Sequence, residues 1–168
     1  MEIQKLKNTA KEYLIARKKF LDIANDTIEL SGNDNIIGRI GEFIAYQLLK
    51  SQGRCPTKNQ NKSERGYDLT CDNGIKVSVK TITHENETQR TTRIKEPWDE
   101  LIFVQLNAFA EVERIGILTK SEFEFARTQS KKYGLTPYCQ LTMLNPKGLI
   151  GKYGTVLQKN ELEAKALL

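Results

Sequence analysis

Asp68 and Lys80 are the residues of this chain best placed to act on a substrate, because both fall within Gly66 to Thr81, a stretch that reads as one β-hairpin. A carboxylate and an ammonium converging on one side of a sheet are the groups of phosphodiester chemistry, in which charge on a phosphate must be offset and a water molecule aimed. Ser78 stands beside Lys80 on the same run and offers only a neutral hydroxyl.

Periodicity decides whether these side chains meet. Along the second run Ile75, Val77, Val79 and Thr81 alternate with Lys76, Ser78, Lys80 and Ile82, so one face is apolar and the other mostly polar. On the first run Tyr67, Leu69 and Cys71 oppose Asp68 and Thr70 in the same way. A slip of one residue in the pairing turns every side chain of a run to the opposite face. A turn of Asn73 and Gly74 alone sets Leu69 opposite Ser78. A longer loop of Asp72, Asn73 and Gly74 sets Cys71 opposite Ile75 and Asp68 opposite Ser78, with Gly74 in the left-handed conformation that loop needs. The longer loop is the expected one, since it keeps Leu69, Cys71, Val77 and Val79 on one apolar face. An edge hairpin whose polar face is simply wet stays open as the alternative.

The elements that must position the hairpin lie on both sides of it. Gly38 to Leu49 carries apolar residues at helical spacing, with Glu42 near the start of the helix and Gly53 as its stop. After the hairpin, Glu100 to Asn107 is dense enough in apolar residues to be a buried central strand, and Arg114 to Thr119 reads as another strand. A helix is expected from Ser121, with Ser121 and Glu124 as a capping box and Gly134 as terminator.

This order of helix, hairpin, buried strand, strand and helix, over residues 36 to 131, resembles the PD-(D/E)XK nuclease superfamily, the fold of many restriction endonucleases and junction resolvases. In that family an Asp on the hairpin is followed by E-x-K or Q-x-K on the next strand. The matching residues here are Asp68 and Ser78-Val79-Lys80, with Tyr67 in the place of the motif's proline. A Glu on the preceding helix often helps to hold metal-bound water, and Glu42 fits that place. The resemblance implies an α/β fold with a mixed central sheet flanked by helices, and Mg²⁺-dependent (or Mn²⁺-dependent) hydrolysis of DNA. It implies that Asp68 binds the metal with Glu42 and the Val79 carbonyl, and that Lys80 orients the attacking water or offsets charge on the phosphate.

Ser78 departs from the motif, because a hydroxyl binds Mg²⁺ less strongly than a carboxylate does. Some restriction enzymes of the superfamily carry S-x-K and take the second acid from elsewhere in the fold. Glu42, Glu85, Glu87 and Glu96 are the candidates here, and Glu42 is favoured because a helix over the sheet is a firmer platform than a polar loop.

Composition agrees with an anionic partner such as nucleic acid. The chain of 168 residues is long enough for one domain with a real core, and its formal net charge is +5. Basic residues flank the hairpin: Arg54, Lys58, Lys62 and Arg65 in the loop before it, and Arg90, Arg93 and Lys95 in the polar stretch after it. Of these Lys58, Lys62, Arg65, Arg90, Arg93 and Lys95 are the candidate nucleic-acid contacts. Cys55, Cys71 and Cys139 are scattered, without a C-x-x-C, and His84 is the lone histidine, so structural zinc is not expected and a reducing cytoplasm is. Neither a leader nor a membrane-spanning run is read.

A single domain over 1–168 is expected, with an N-terminal helix (1–31), a core (36–131) and a C-terminal extension (135–168). In the first of these, apolar residues from Ile3 through Leu6, Ala10, Tyr13, Phe20, Ala24 and Ile28 recur at helical intervals, giving an amphipathic helix that either packs on the domain or mediates a homodimer. In the extension, Tyr138 to Leu144 adds a strand and Asn160 caps a short helix. Three functional classes remain open: a compact restriction or defence endonuclease, a nuclease-like domain that binds DNA or a protein without cutting, and an unrelated α/β structural or regulatory protein.

Overall fold

The protein is described by a computed structural model covering residues 2–30, 35–59, 66–84, 86, 88–109, 111–130 and 138–163. In chain order the elements are α1 (Glu2–Asp26), α2 (Ile36–Ser51), β1 (Thr57–Lys58), β2 (Leu69–Thr70), β3 (Lys76–Ile82), β4 (Arg90–Arg93), β5 (Glu100–Leu106), β6 (Val112–Thr119), α3 (Lys120–Gln129), β7 (Tyr138–Gln140), α4 (Leu149–Tyr153), β8 (Thr155–Gln158) and α5 (Lys159–Glu163).

Every residue of β5 is buried, as its continuous apolar run demands of a strand covered on both faces. It pairs in parallel with β3 and antiparallel with β6. The result is a mixed six-stranded sheet in the order β1-β2-β3-β5-β6-β8, flanked by helices, with β4 and β7 as a separate pair. On one face Ile44, Ala45, Leu48 and Leu49 of α2 cover Val77, Val79, Ile102 and Val104. On the other, Phe123 and Ala126 of α3 and Leu149 and Ile150 of α4 cover Ile82, Leu101, Phe103 and Leu118. Burying each such large aliphatic side chain contributes about 1.5–3 kcal/mol.

The hairpin takes the longer loop. Leu69 pairs with Val77 and Thr70 with Lys76, and the Cys71 N–H donates to the Ile75 carbonyl at 2.8 Å. Asn73 and Gly74 are both left-handed, at φ 60° and 76°. Leu69, Cys71, Val77 and Val79 share the buried face beneath α2. Two glycines serve α2 itself. Gly53, at φ 76°, follows its last turn, and its N–H donates to the Lys50 carbonyl at 2.9 Å. At Gly41 a Cβ would collide with the Thr81 side chain, so glycine lets the helix lie close against β3.

Several expectations are corrected. The capping box of α3 is Thr119 with Glu122, not Ser121 with Glu124: Thr119 is the last residue of β6, so the helix begins as soon as the strand ends, and Glu122 accepts from the Thr119 N–H at 2.7 Å. That helix closes at Gln129, while Gly134 lies outside the described residues. The segments read as loops on either side of the hairpin contain β1 and β4. The first is held by backbone groups on the edge of β2 rather than by an apolar pattern. Asn160 lies inside α5 rather than at its cap, and Gln158 occupies the cap position with its N–H on Glu161 at 2.8 Å. The C-terminal extension also supplies β8, the edge strand beyond β6.

The N-terminal helix runs to Asp26 and is tied to the domain near its end. Arg39, 2% exposed, donates to the Leu30 carbonyl at 2.6 Å and the Asn25 side chain at 3.1 Å, and stacks over Phe20. Ala24 is buried, whereas Ile3, Tyr13, Ile15 and Ile23 are exposed. Among the described residues no helix is long and apolar enough to cross a membrane.

Candidate active site where two strands part

β2 and β3 separate at Asp68. In a continued antiparallel ladder the Val79 N–H would meet a backbone carbonyl of the first strand. It donates instead to the Asp68 carboxylate at 2.6 Å, while the Asp68 N–H is held by the Val77 carbonyl at 2.9 Å. The acid thus substitutes for the departing strand and is fixed at its own backbone and side chain. Because N–H and C=O of one residue point the same way in a strand, the Val79 carbonyl faces the side that β2 leaves open.

A cleft of about 430 Å³ fills that side. Asp68, Val79 and Lys80 line it from the hairpin, Glu42 and Gly38 from α2, and Arg90, Thr91 and Thr92 from β4. Glu42 arrives from the helix over the Val77 and Val79 face, whereas Lys80 belongs to the other face with Ser78 and Ile82. The site therefore straddles the open edge of β3 rather than lying on one face of the hairpin. Lys80 has no ion-pair partner within 4 Å among the described residues, so its ammonium stands in the cleft beside Asp68 without being locked to it.

Burial pushes the Glu42 carboxyl above its ordinary value; Lys58 pulls it down, Asp68 adds to the rise, and Lys80 opposes it. Burial also raises the Asp68 carboxyl, against the Val79 N–H and the charges of Lys80 and Lys58. Two carboxyls held above their usual range in one cleft, each opposed by the same two lysines, are groups whose ionised forms would gain from a further cation.

The remaining residues named from the sequence are dispersed. Ser78 is 1% exposed and does not reach the cleft wall. Lys58 is drawn under α2, where its Nζ lies 3.0 Å from Glu42 Oε2, rather than out toward a ligand. Arg93 and Lys95 are exposed beyond the wall to which Arg90 contributes. Arg54 lies at the far end of the sheet, on Glu100. Glu96 pairs with Lys120 at 2.9 Å on the surface. Lys62, Arg65, Glu85 and Glu87 lie outside the described residues. Thr91 and Thr92, neighbours of the basic residues in the polar stretch after the hairpin, line the cleft with Arg90, whereas the pairing of Lys58 with Glu42 has no local signal in the sequence. Among the described residues no three His, Cys, Asp or Glu side chains gather as a metal-binding group.

The sequence matches no family model and no curated protein. Among solved structures the chain is similar to a bacterial homing endonuclease, I-Ssp6803I, at 18% identity and a TM-score of 0.40, covering 66% of this chain and 78% of that one.

Proposed function

We propose that this chain is a nuclease of the PD-(D/E)XK kind that hydrolyses DNA phosphodiester bonds with a divalent metal ion, Mg²⁺ or Mn²⁺. The observation that carries the reading is the meeting of Asp68, Glu42 and Lys80 at the open edge of β3, in a cleft whose volume suits a nucleotide-sized group. The donor set fits such an ion. Two carboxylates and a carbonyl are all oxygen ligands, and Mg²⁺ commonly uses one or two carboxylates and leaves its other positions to water and phosphate. When bound, the ion supplies Lewis acidity at a phosphate oxygen and makes a water molecule more acidic.

Asp68 and Glu42 would hold the ion, with the Val79 carbonyl as third protein ligand. The Val79 N–H keeps the Asp68 side chain from turning away. Lys80 orients the attacking water and offsets charge that builds on the scissile phosphate. Arg90, with its guanidinium stacked over Tyr138, and Thr92 line the same cleft and suit the flanking backbone phosphates, while the Thr91 hydroxyl is held by the Thr92 carbonyl and the Cys139 N–H. A compact restriction or defence enzyme is the setting we favour, and the exposed apolar residues of α1 are the surface by which two copies would pair.

The test is cleavage of mixed-sequence DNA with Mg²⁺ or Mn²⁺ by the wild type, Asp68→Ala and Lys80→Ala. Cutting by the wild type alone is the expected result. Equal activity in all three, with contaminating nuclease excluded, sinks the assignment. A second reading, DNA binding without cleavage, is favoured by the buried Ser78 and by the Lys58–Glu42 pair; it predicts retained binding and no cutting in any metal.

A further inference from the structure

Lys58 is the residue of the site that the nuclease reading leaves without a role. It sits on β1 opposite Leu69, and cross-strand neighbours share a face, so its side chain runs beneath α2 on the side from which Glu42 enters the cleft. Its place is held on three sides. Thr57 Oγ1 donates to the Thr70 carbonyl at 3.1 Å, the Asn59 N–H donates to the Asp68 carbonyl at 3.1 Å, and Lys58 Nζ donates to the Glu29 carbonyl at 3.4 Å. The Lys58 side chain is 9% exposed, so its ammonium has given up most of its water for the Glu42 carboxylate at 3.0 Å.

The charges of the site show what this contact does. Glu42 and Asp68 bring two negative charges, and Lys58 and Lys80, which act on both acids, bring two positive ones. With Ser78 where a third carboxylate would add to the attraction, the two acids are already balanced by the two lysines, and Arg90 adds a further positive charge in the cleft wall. A divalent cation that binds Glu42 meets a carboxylate already held through Oε2 by an ammonium. A metal ion on Glu42 would stand close to the Lys58 ammonium, and the repulsion between the two cations favours one at the expense of the other.

We propose that Lys58 is an internal counter-ion that occupies Glu42 in the metal-free protein and competes with the divalent cation for it, so that this lysine sets the metal affinity of the site. The inference rests on the metal site of the nuclease reading but assigns a role to a residue outside the motif. Lys58 acts through Glu42 and is a positioning residue. Its competition makes metal binding weak until a phosphate in the cleft adds negative charge, which ties metal loading to the presence of DNA.

The test is titration calorimetry of the full chain with Mn²⁺, and with Ca²⁺ as a non-catalytic ion, without DNA, on the wild type, Lys58→Met, Lys58→Gln and Lys58→Arg. Lys58→Met and Lys58→Gln are expected to bind Mn²⁺ about tenfold more tightly or better, within the range by which groups behind a metal ligand tune affinity. Lys58→Arg, which keeps the charge, is expected to stay near the wild type. In chelator the neutral variants should melt below the wild type, and added Mn²⁺ should raise their melting temperature more than it raises that of the wild type. A purely structural Lys58 would lower the melting temperature without tightening the metal, and that result overturns the proposal. So does equal tightening by Lys58→Arg, or an absence of metal binding in every variant. Should the neutral variants fail to fold, a structure of the wild type with Mn²⁺ bound decides: Lys58 must have left Glu42, and a retained contact at the present distance overturns the proposal. Metal-dependent cleavage by the wild type together with unchanged affinity in Lys58→Met ends this proposal and leaves the nuclease reading standing. Failure of both cleavage and metal binding ends both.

Discussion

Two partly buried ion pairs hang from the connection between α2 and β2, and they serve opposite ends. Arg54 reaches Glu100 at the start of β5, where one guanidinium nitrogen bonds both carboxylate oxygens at 3.0 and 2.9 Å. Lys58 reaches Glu42 through one carboxylate oxygen at 3.0 Å, beside the cleft and within the field of a second carboxylate, Asp68. The first pair matches one acid with one cation and closes the base of the sheet. The second shares its cations between two acids next to open volume. A buried ion pair becomes a candidate site when an adjacent acid and solvent access leave its charges able to exchange partners.

Replacing one cation at each place is the strongest way to break this comparison. Lys80→Met should lower DNA cleavage by roughly 10³-fold while leaving the urea midpoint close to that of the wild type, because a positioned charge is lost from a partly open site. A large fall in stability instead would make Lys80 a structural residue. Arg54→Met should do the reverse. It strands the Glu100 carboxylate, which is 8% exposed, and should cost about 3 kcal/mol in urea unfolding while the folded fraction keeps its cleavage rate. If cleavage falls in step with the Lys80 variant, the two ends of the sheet are not functionally separate.

Asp68→Asn sharpens the contrast through pH. Burial raises the Asp68 carboxyl in the folded protein, so the folded state binds this proton more tightly than the unfolded chain does. The contribution is therefore fully present below the ordinary value of 3.8 and is lost as pH rises through the folded value. At neutral pH the ionised Asp68 is a net cost to stability. Asparagine avoids that cost and can still accept from the Val79 N–H. The variant should be more stable by about 1 kcal/mol at neutral pH, inactive, and no longer favoured near pH 4, as measured by urea unfolding across pH. A variant that is less stable at neutral pH would show that the charged hydrogen bond outweighs burial. The smallest effect is expected at Ser78→Ala: cleavage within about twofold of the wild type, since this hydroxyl does not reach the cleft wall.

Much of the scaffold was legible because its signals are local. Alternation from Ile75 to Ile82 and the Asp72-Asn73-Gly74 loop were enough for the hairpin register. The density of apolar residues from Leu101 to Leu106 was enough for the central strand. Strands β1 and β4 were not legible, because Thr57–Lys58 and Arg90–Arg93 carry no apolar alternation and are held by hydrogen bonds to distant segments. The cap of α3 was misread by two residues because Thr119-x-x-Glu122 and Ser121-x-x-Glu124 satisfy the same pattern, and only the end of β6 chooses between them.

The site divides along the same line. That Asp68, Ser78 and Lys80 share one strand register, and that Glu42 opens a helix just before them, follows from side-chain periods and turn chemistry, which neighbours in the chain dictate. That β2 departs at Asp68, that the cleft straddles an edge instead of lying on a face, that Ser78 is sealed away and that Lys58 holds Glu42 are all decided in the assembled molecule. They depend on which groups lose water together when α2, β1 and β4 close around β3, and desolvation of that kind is a property of the packed whole that no run of neighbouring residues specifies.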